Sequence, residues 1–139
     1  MALADDLERI ATTAADRANG DGSSVSGVLA AEPAPGRRVY VCAFETEAGA
    51  RTWLALDDEG APVTSQRDVR DAVSIAALCE VAEEAAGVEP DSARVASPAL
   101  LDDLGGDKGS EVAAAVKAAA GTVEELVHDV ERGYKLPLS

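Results

Sequence analysis

Residues 37–57 form two runs of alternating side chains joined by a short glycine-containing connection, and a long alanine-rich run follows at 66–86. In the run 37–46 both sides of a strand are apolar, with Tyr40, Cys42 and Phe44 on one face and Val39, Val41 and Ala43 on the other. Burial of both faces is favoured, because apolar side chains gain free energy on leaving water. The strands therefore require covering elements, and the long helical run is expected to cover one face.

The sequence predicts an α+β fold in which residues 1–139 form a single domain. Strands are expected at about 24–31, 37–46 and 50–57, and a short edge strand at 61–64 would raise their number from three to four. A helix is expected first, at 2–19, and a long central helix at 66–86. The C-terminal third is expected to be helical in short pieces, at 99–104, 110–120 and 122–132, with Gly121 as a break.

The chain carries 26 acidic and 12 basic residues, which gives a formal net charge of −14 at pH 7. Such a surface repels phosphate backbones and anionic lipid, so neither nucleic acid nor a membrane is expected as a partner. The same charge suits a basic protein partner or divalent cations. No apolar run approaches the ~20 residues of a membrane span, and the acidic start differs from a signal peptide, so a cytoplasmic location is expected. The bias towards Ala, Asp, Glu, Arg and Val resembles that of proteins from high-GC bacteria.

Two cysteines are present, Cys42 in a predicted strand and Cys79 in the predicted central helix. Neither belongs to a zinc-ligand or redox spacing, so both are expected to be buried, reduced thiols that act as small hydrophobic side chains. A disulfide stays open as an alternative if that strand and that helix touch at these positions.

Three glutamates, Glu80, Glu83 and Glu84, lie one turn apart near the end of the central helix. Side chains three and four residues apart share a helix face, so Glu80 with Glu83 or Glu84 is a candidate ligand set for a hard divalent cation. The segment resembles a degenerate Nudix box, the diphosphate-hydrolase motif whose helix carries Arg-Glu-x-x-Glu-Glu. Asp71 lies where that motif has its upstream Glu, and Cys79 stands in place of its Arg. The resemblance implies metal-dependent hydrolysis, whereas the residues alone favour a solvated acidic face.

Three further features have both a chemical and an ordinary interpretation. The turn 57–60, Asp-Asp-Glu-Gly, superficially resembles a calcium-binding loop but lacks its spacing, and a plain polar turn is expected. Arg37 and Arg38 are suited to an anion or a carboxylate, although charges that protect a sheet edge are the favoured interpretation. His128 is the single histidine, and a surface position on a helix is expected for it.

The sequence favours a non-catalytic protein-interaction module of the adaptor or chaperone type, because it contains one histidine, no cofactor motif and no dense cluster of catalytic residues. No cofactor is expected. The predicted order of a leading helix, three antiparallel strands and a long helix resembles the opening half of the secretion-chaperone-type α+β fold. Members of that fold are typically homodimers that hold partner polypeptides. A homodimer is expected here too, because both faces of the strand 37–46 are apolar.

Two alternative functions stay open. One is a metal-dependent hydrolase that uses the three glutamates of the central helix. The other is a small-ligand binder whose pocket lies between a helix and the sheet face of Tyr40, Cys42 and Phe44.

Overall fold

A computed structural model describes residues 3–18, 24–46, 48–88, 95–106, 109–135 and 138. Its elements, in chain order, are α1 (Leu3–Ala18), β1 (Ser24–Ala34), β2 (Arg37–Glu45), β3 (Arg51–Leu56), α2 (Gln66–Ala86), α3 (Pro98–Gly105) and α4 (Gly109–Gly133). This order confirms the predicted α+β class, with a leading helix, an antiparallel sheet and a long central helix. Residues 2 and 19, which the prediction placed in the first helix, lie outside the described residues.

The three strands form an antiparallel meander in the order β1-β2-β3, so β2 lies in the middle and pairs on both sides. The face of β2 that carries Tyr40, Cys42 and Phe44 packs under α1, through Ile10 and Ala14. The opposite face packs against α2 and α4. Both faces are thus covered, as predicted, and both covers belong to the same chain. The apolar faces of β2 therefore no longer support the prediction of a homodimer, because β2 needs no second subunit to bury its side chains.

Short pieces of chain pair with both outer edges of the sheet. At the β1 edge, the backbone of Ala96 donates to the carbonyl of Ala30 at 3.0 Å and accepts from the amide of Glu32 at 2.7 Å. At the β3 edge, the amide of Lys135 donates to the carbonyl of Trp53 at 2.8 Å. These bonds satisfy backbone groups that an open edge would expose.

The side chain of Tyr134 fixes the end of α4 against β3. Its hydroxyl accepts from the amide of Ala55 at 3.0 Å and lies within hydrogen-bond distance of the carbonyls of Ala55 and Val63. Burial raises the pKa of this hydroxyl. The amide of Ala55 points away from β2, so the tyrosine takes the place of a missing fourth strand.

Three predicted boundaries are wrong. The first strand continues past 31 to Ala34, and Pro33 is tolerated because it lies in the register irregularity between Ala31 and Ala34, where the ladder is interrupted. The predicted edge strand 61–64 is reduced to an isolated bridge between Pro62 and Leu56, since proline has no amide hydrogen to extend the ladder. The predicted helices 110–120 and 122–132 form one helix, α4, with Gly121 in its interior. A single glycine lowers helix stability by only about 1 kcal/mol, which is too little to break a helix that packs at both ends.

The central helix α2 begins and ends as its sequence predicts. The side chain of Ser65 accepts a hydrogen bond from the amide of Asp68, and Gly87 ends the helix with a φ of 73°. Its buried residues are Val69, Ala72, Val73, Ile75, Cys79, Ala82 and Glu83. The expectation that all three glutamates are solvated is wrong for Glu83, which is 6% exposed. The buried side of α2 includes Ile75, Cys79 and Ala82, and Glu83 lies next to Ala82 near its C-terminal end.

The two cysteines lie on opposite sides of the sheet. Cys42 packs in the cluster beneath α1, whereas Cys79 packs in the cluster beneath α2, and the two do not form a disulfide. This excludes the disulfide alternative. In the part of the chain that the structure describes, no helix combines the length and the apolar run needed to cross a membrane.

Candidate functional site

The three glutamates of the acidic segment differ in environment. Glu80 and Glu84 are exposed on α2, whereas Glu83, on the same helix, is buried. Among the described residues no group of three or more His, Cys, Asp or Glu side chains is arranged to hold a metal ion. Binding of a cation by Glu80, Glu83 and Glu84 stays a prediction, which isothermal calorimetry with Mg²⁺ or Mn²⁺ checks directly.

The face of Tyr40, Cys42 and Phe44 does not form the ligand pocket that one alternative placed there. The exposed fractions of these three side chains are at most 1%. Side chains of α1 fill the space that the prediction assigned to a ligand. Burial also raises the pKa of the Cys42 thiol to about 12, so the thiol is protonated at neutral pH and is a poor nucleophile.

A groove of about 580 Å³ brings together a pair of arginines, an acidic turn and a helix cap that lie in separate segments of the sequence. It lies where the β1–β2 turn, the β3–α2 loop and the first turn of α2 meet. Arg37 and Arg38, the acidic turn 57–59, and the helix cap formed by Ser65 and Asp68 line it. Its size is within the range of small-ligand sites.

The charges of this groove are largely matched within the chain. Arg37 Nη1 lies 3.1 Å from Asp68 Oδ1, and Arg38 Nε lies 3.8 Å from Glu32 Oε1. Asp57 Oδ1 accepts from the amides of Glu59 and Ala61 at 2.9 and 3.0 Å, so this carboxylate closes the turn. The plain-turn interpretation of 57–60 accounts for Asp57 without a calcium ion.

His128 lies on the exposed side of α4, as the sequence predicts. Its Nε2 is 3.8 Å from Glu124 Oε1, one turn earlier on the same helix. This is an ordinary surface pair between positions i and i+4.

The middle of α4 is a long helical stretch without a buried side chain. Between the buried Val112 and Val127, the fourteen residues 113–126 include no buried side chain. Nine of these fourteen residues are alanine, valine or leucine. Leu126 is 37% exposed, which is unusual for a leucine in the described part of this chain. We refer to 113–126 as the uncovered segment.

The side chains on the outward face of the uncovered segment are small, and few of them are charged. Ala114, Ala118 and Gly121 recur at four- and three-residue spacing and are all exposed. The segment contains one basic residue, Lys117, and two acidic residues, Glu124 and Glu125. Its net charge is therefore −1, whereas the whole chain carries −14. A low-charge helix face on a strongly acidic protein is a surface on which another helix can pack closely.

This surface was not among the features predicted from the sequence. Its signal was present in the sequence. Val112, Val116, Val123, Val127 and Val130 follow the spacing of one helix face, and the opposite face carries mainly small or polar residues. Alanine hid the signal, since alanine is common on both buried and exposed helix faces.

Comparisons of the chain with known protein families, with curated proteins and with solved structures found no match. We infer a function from the surfaces described above.

Proposed function

We propose that this protein is a non-catalytic interaction module that forms a homodimer through the uncovered segment of α4. The observation that carries the proposal is the run of fourteen residues without a buried side chain in the longest helix of the chain. A helix face of this kind is stabilised when a second helix removes its apolar surface from water.

A second copy of the chain is the occupant that the charges favour. A strongly acidic or basic helix would find only one lysine and two glutamates on this face. A copy of the same segment brings the same low charge, so little repulsion arises at the contact. At physiological salt the repulsion between the other acidic surfaces is screened beyond about 8 Å. A contact along 14 residues is about 21 Å long, which fits a small, reversible interface.

Ala118→Glu tests this surface. Ala118 is exposed, so the substitution is expected to leave the fold intact. In a dimer it places an unpaired carboxylate in the contact, and the association constant should fall more than about tenfold. Sedimentation velocity over a concentration series measures the change.

Ala99→Glu on α3 is the matched control. Ala99 is also an exposed alanine on a helix, and the substitution changes the net charge by the same amount. Its association constant should equal that of the wild type. A wild-type chain that sediments as a monomer at every concentration, or an Ala118→Glu variant that associates like the control, would contradict the proposal.

A further inference from the structure

Resting on the proposed homodimer, we further propose that the two copies of α4 pair antiparallel and cross at Gly121. Gly121 lies in the interior of α4, twelve residues from each end of the helix Gly109–Gly133. The position of this glycine indicates the crossing point, and the charges on either side of it indicate the antiparallel direction.

Gly121 has no explanation within the part of the chain that the structure describes. Glycine is less favourable than alanine inside a helix. A Cβ built at Gly121 meets nothing within 4 Å, so no neighbouring residue requires the glycine. Gly121 also lies on the exposed side of the helix. Glycine at such a position allows the backbone of a second helix to approach closely, and the two-fold axis of a symmetric dimer would pass through this point.

The charges determine the direction of the pair. In an antiparallel pair centred on Gly121, position 117 of one copy lies opposite position 125 of the other. Lys117 then faces Glu125 of the partner subunit, and the same contact is repeated on the other side of the axis. A parallel pair would instead place Lys117 next to the same lysine of the partner. Exposed ion pairs are individually weak, but like charges in the same place oppose association.

The charge pair is tested by single and double substitutions. Lys117→Glu and Glu125→Lys are each expected to weaken association about fivefold, since each replaces two attractive contacts by repulsive ones. The double variant restores two opposite-charge contacts with the signs exchanged, and its association constant should return to within about twofold of the wild type. Sedimentation equilibrium at 0.05 and 0.5 M salt adds a second readout, because salt should lessen the difference in affinity between each single variant and the wild type.

The crossing point is tested by Gly121→Ala. Two extra methyl groups at the crossing should weaken association at least about tenfold. The same substitution should raise the Tm of the dilute monomer by about 3 °C, because alanine favours the helix. A variant that only perturbed the fold would lower both quantities, so the opposite signs are specific to this arrangement.

The results separate this inference from the proposed function. If Ala118→Glu abolishes association while the charge variants and Gly121→Ala leave it unchanged, the antiparallel crossing is overturned and the dimer on α4 stands. A double charge variant that is weaker than both single variants would also overturn the antiparallel pairing. If the wild-type chain does not associate at all, both proposals fail.

Discussion

Replacing Phe44 by alanine is expected to lower the free energy of unfolding by about 3 to 5 kcal/mol. Phe44 lies in the middle strand, and its side chain is 0% exposed in the cluster beneath α1. The substitution removes the contacts of the ring and leaves a cavity between the sheet and α1. The sheet cannot close this cavity, because its opposite face is held by α2 and α4.

Urea unfolding followed by the fluorescence of Trp53, the single tryptophan, measures the loss. Leu29→Ala is the matched control, since Leu29 is also in the sheet but is 47% exposed. That variant should differ from the wild type by less than about 0.5 kcal/mol. A loss below about 1 kcal/mol for Phe44→Ala would mean that α1 does not pack on this face in solution.

The sheet was predictable because successive side chains of a strand can point only to one face of the sheet or to the other. In the run 37–46 every second residue must face the same way, so the two apolar sets were separable from the sequence. Their opposite burial beneath α1 and beneath α2 with α4 follows from this alternation. Which helix covers which face depends on contacts between distant parts of the chain, and the sequence pattern contained no information on it.

The bounds of the central helix were predictable, whereas its sequence left the buried face open. Alanine and valine surround its first half, so several choices of buried face have similar apolar content. Contacts with the sheet and α4 selected the face that includes Cys79 and Glu83. Glu83 is buried for this reason, although its residue type favours the surface.

The candidate surfaces were predictable only as parts. The acidic turn 57–60 and the pair Arg37 and Arg38 were recognised, but their meeting in one groove depends on how two loops fold over the end of the sheet. The role of Tyr134 depends on hydrogen bonds that span 71 to 79 residues. A local sequence pattern gives no information on contacts between residues so far apart in the chain. The glycine at 121 predicts a break, whereas α4 continues through it, since one glycine lowers helix stability by only about 1 kcal/mol.

Gly133→Ala is expected to lower the free energy of unfolding by about 1 to 3 kcal/mol. Gly133 is the last residue of α4, and a Cβ built there lies 2.9 Å from Trp53 Cδ1 and 3.1 Å from the carbonyl oxygen of Arg51. Carbon atoms in contact are normally about 3.5 to 4.0 Å apart, so the indole or the helix end must move. Trp53 is buried, and Tyr134, which follows Gly133, is held by hydrogen bonds to β3. Neither the indole nor the end of α4 can therefore move easily.

Gly121→Ala in the same helix is the matched control, measured at a concentration where the monomer predominates. Helix propensity favours alanine by about 1 kcal/mol in the helix interior, where Gly121 lies, and by less at the last residue, Gly133. At Gly121 nothing opposes this gain, so the monomer should become more stable. At Gly133 the clash with Trp53 exceeds the gain, so the same substitution should have the opposite sign. Stabilisation by both substitutions would show that the end of α4 is not packed against β3, and the buried contacts of α4 would then be those of Val112, Val127 and Val130.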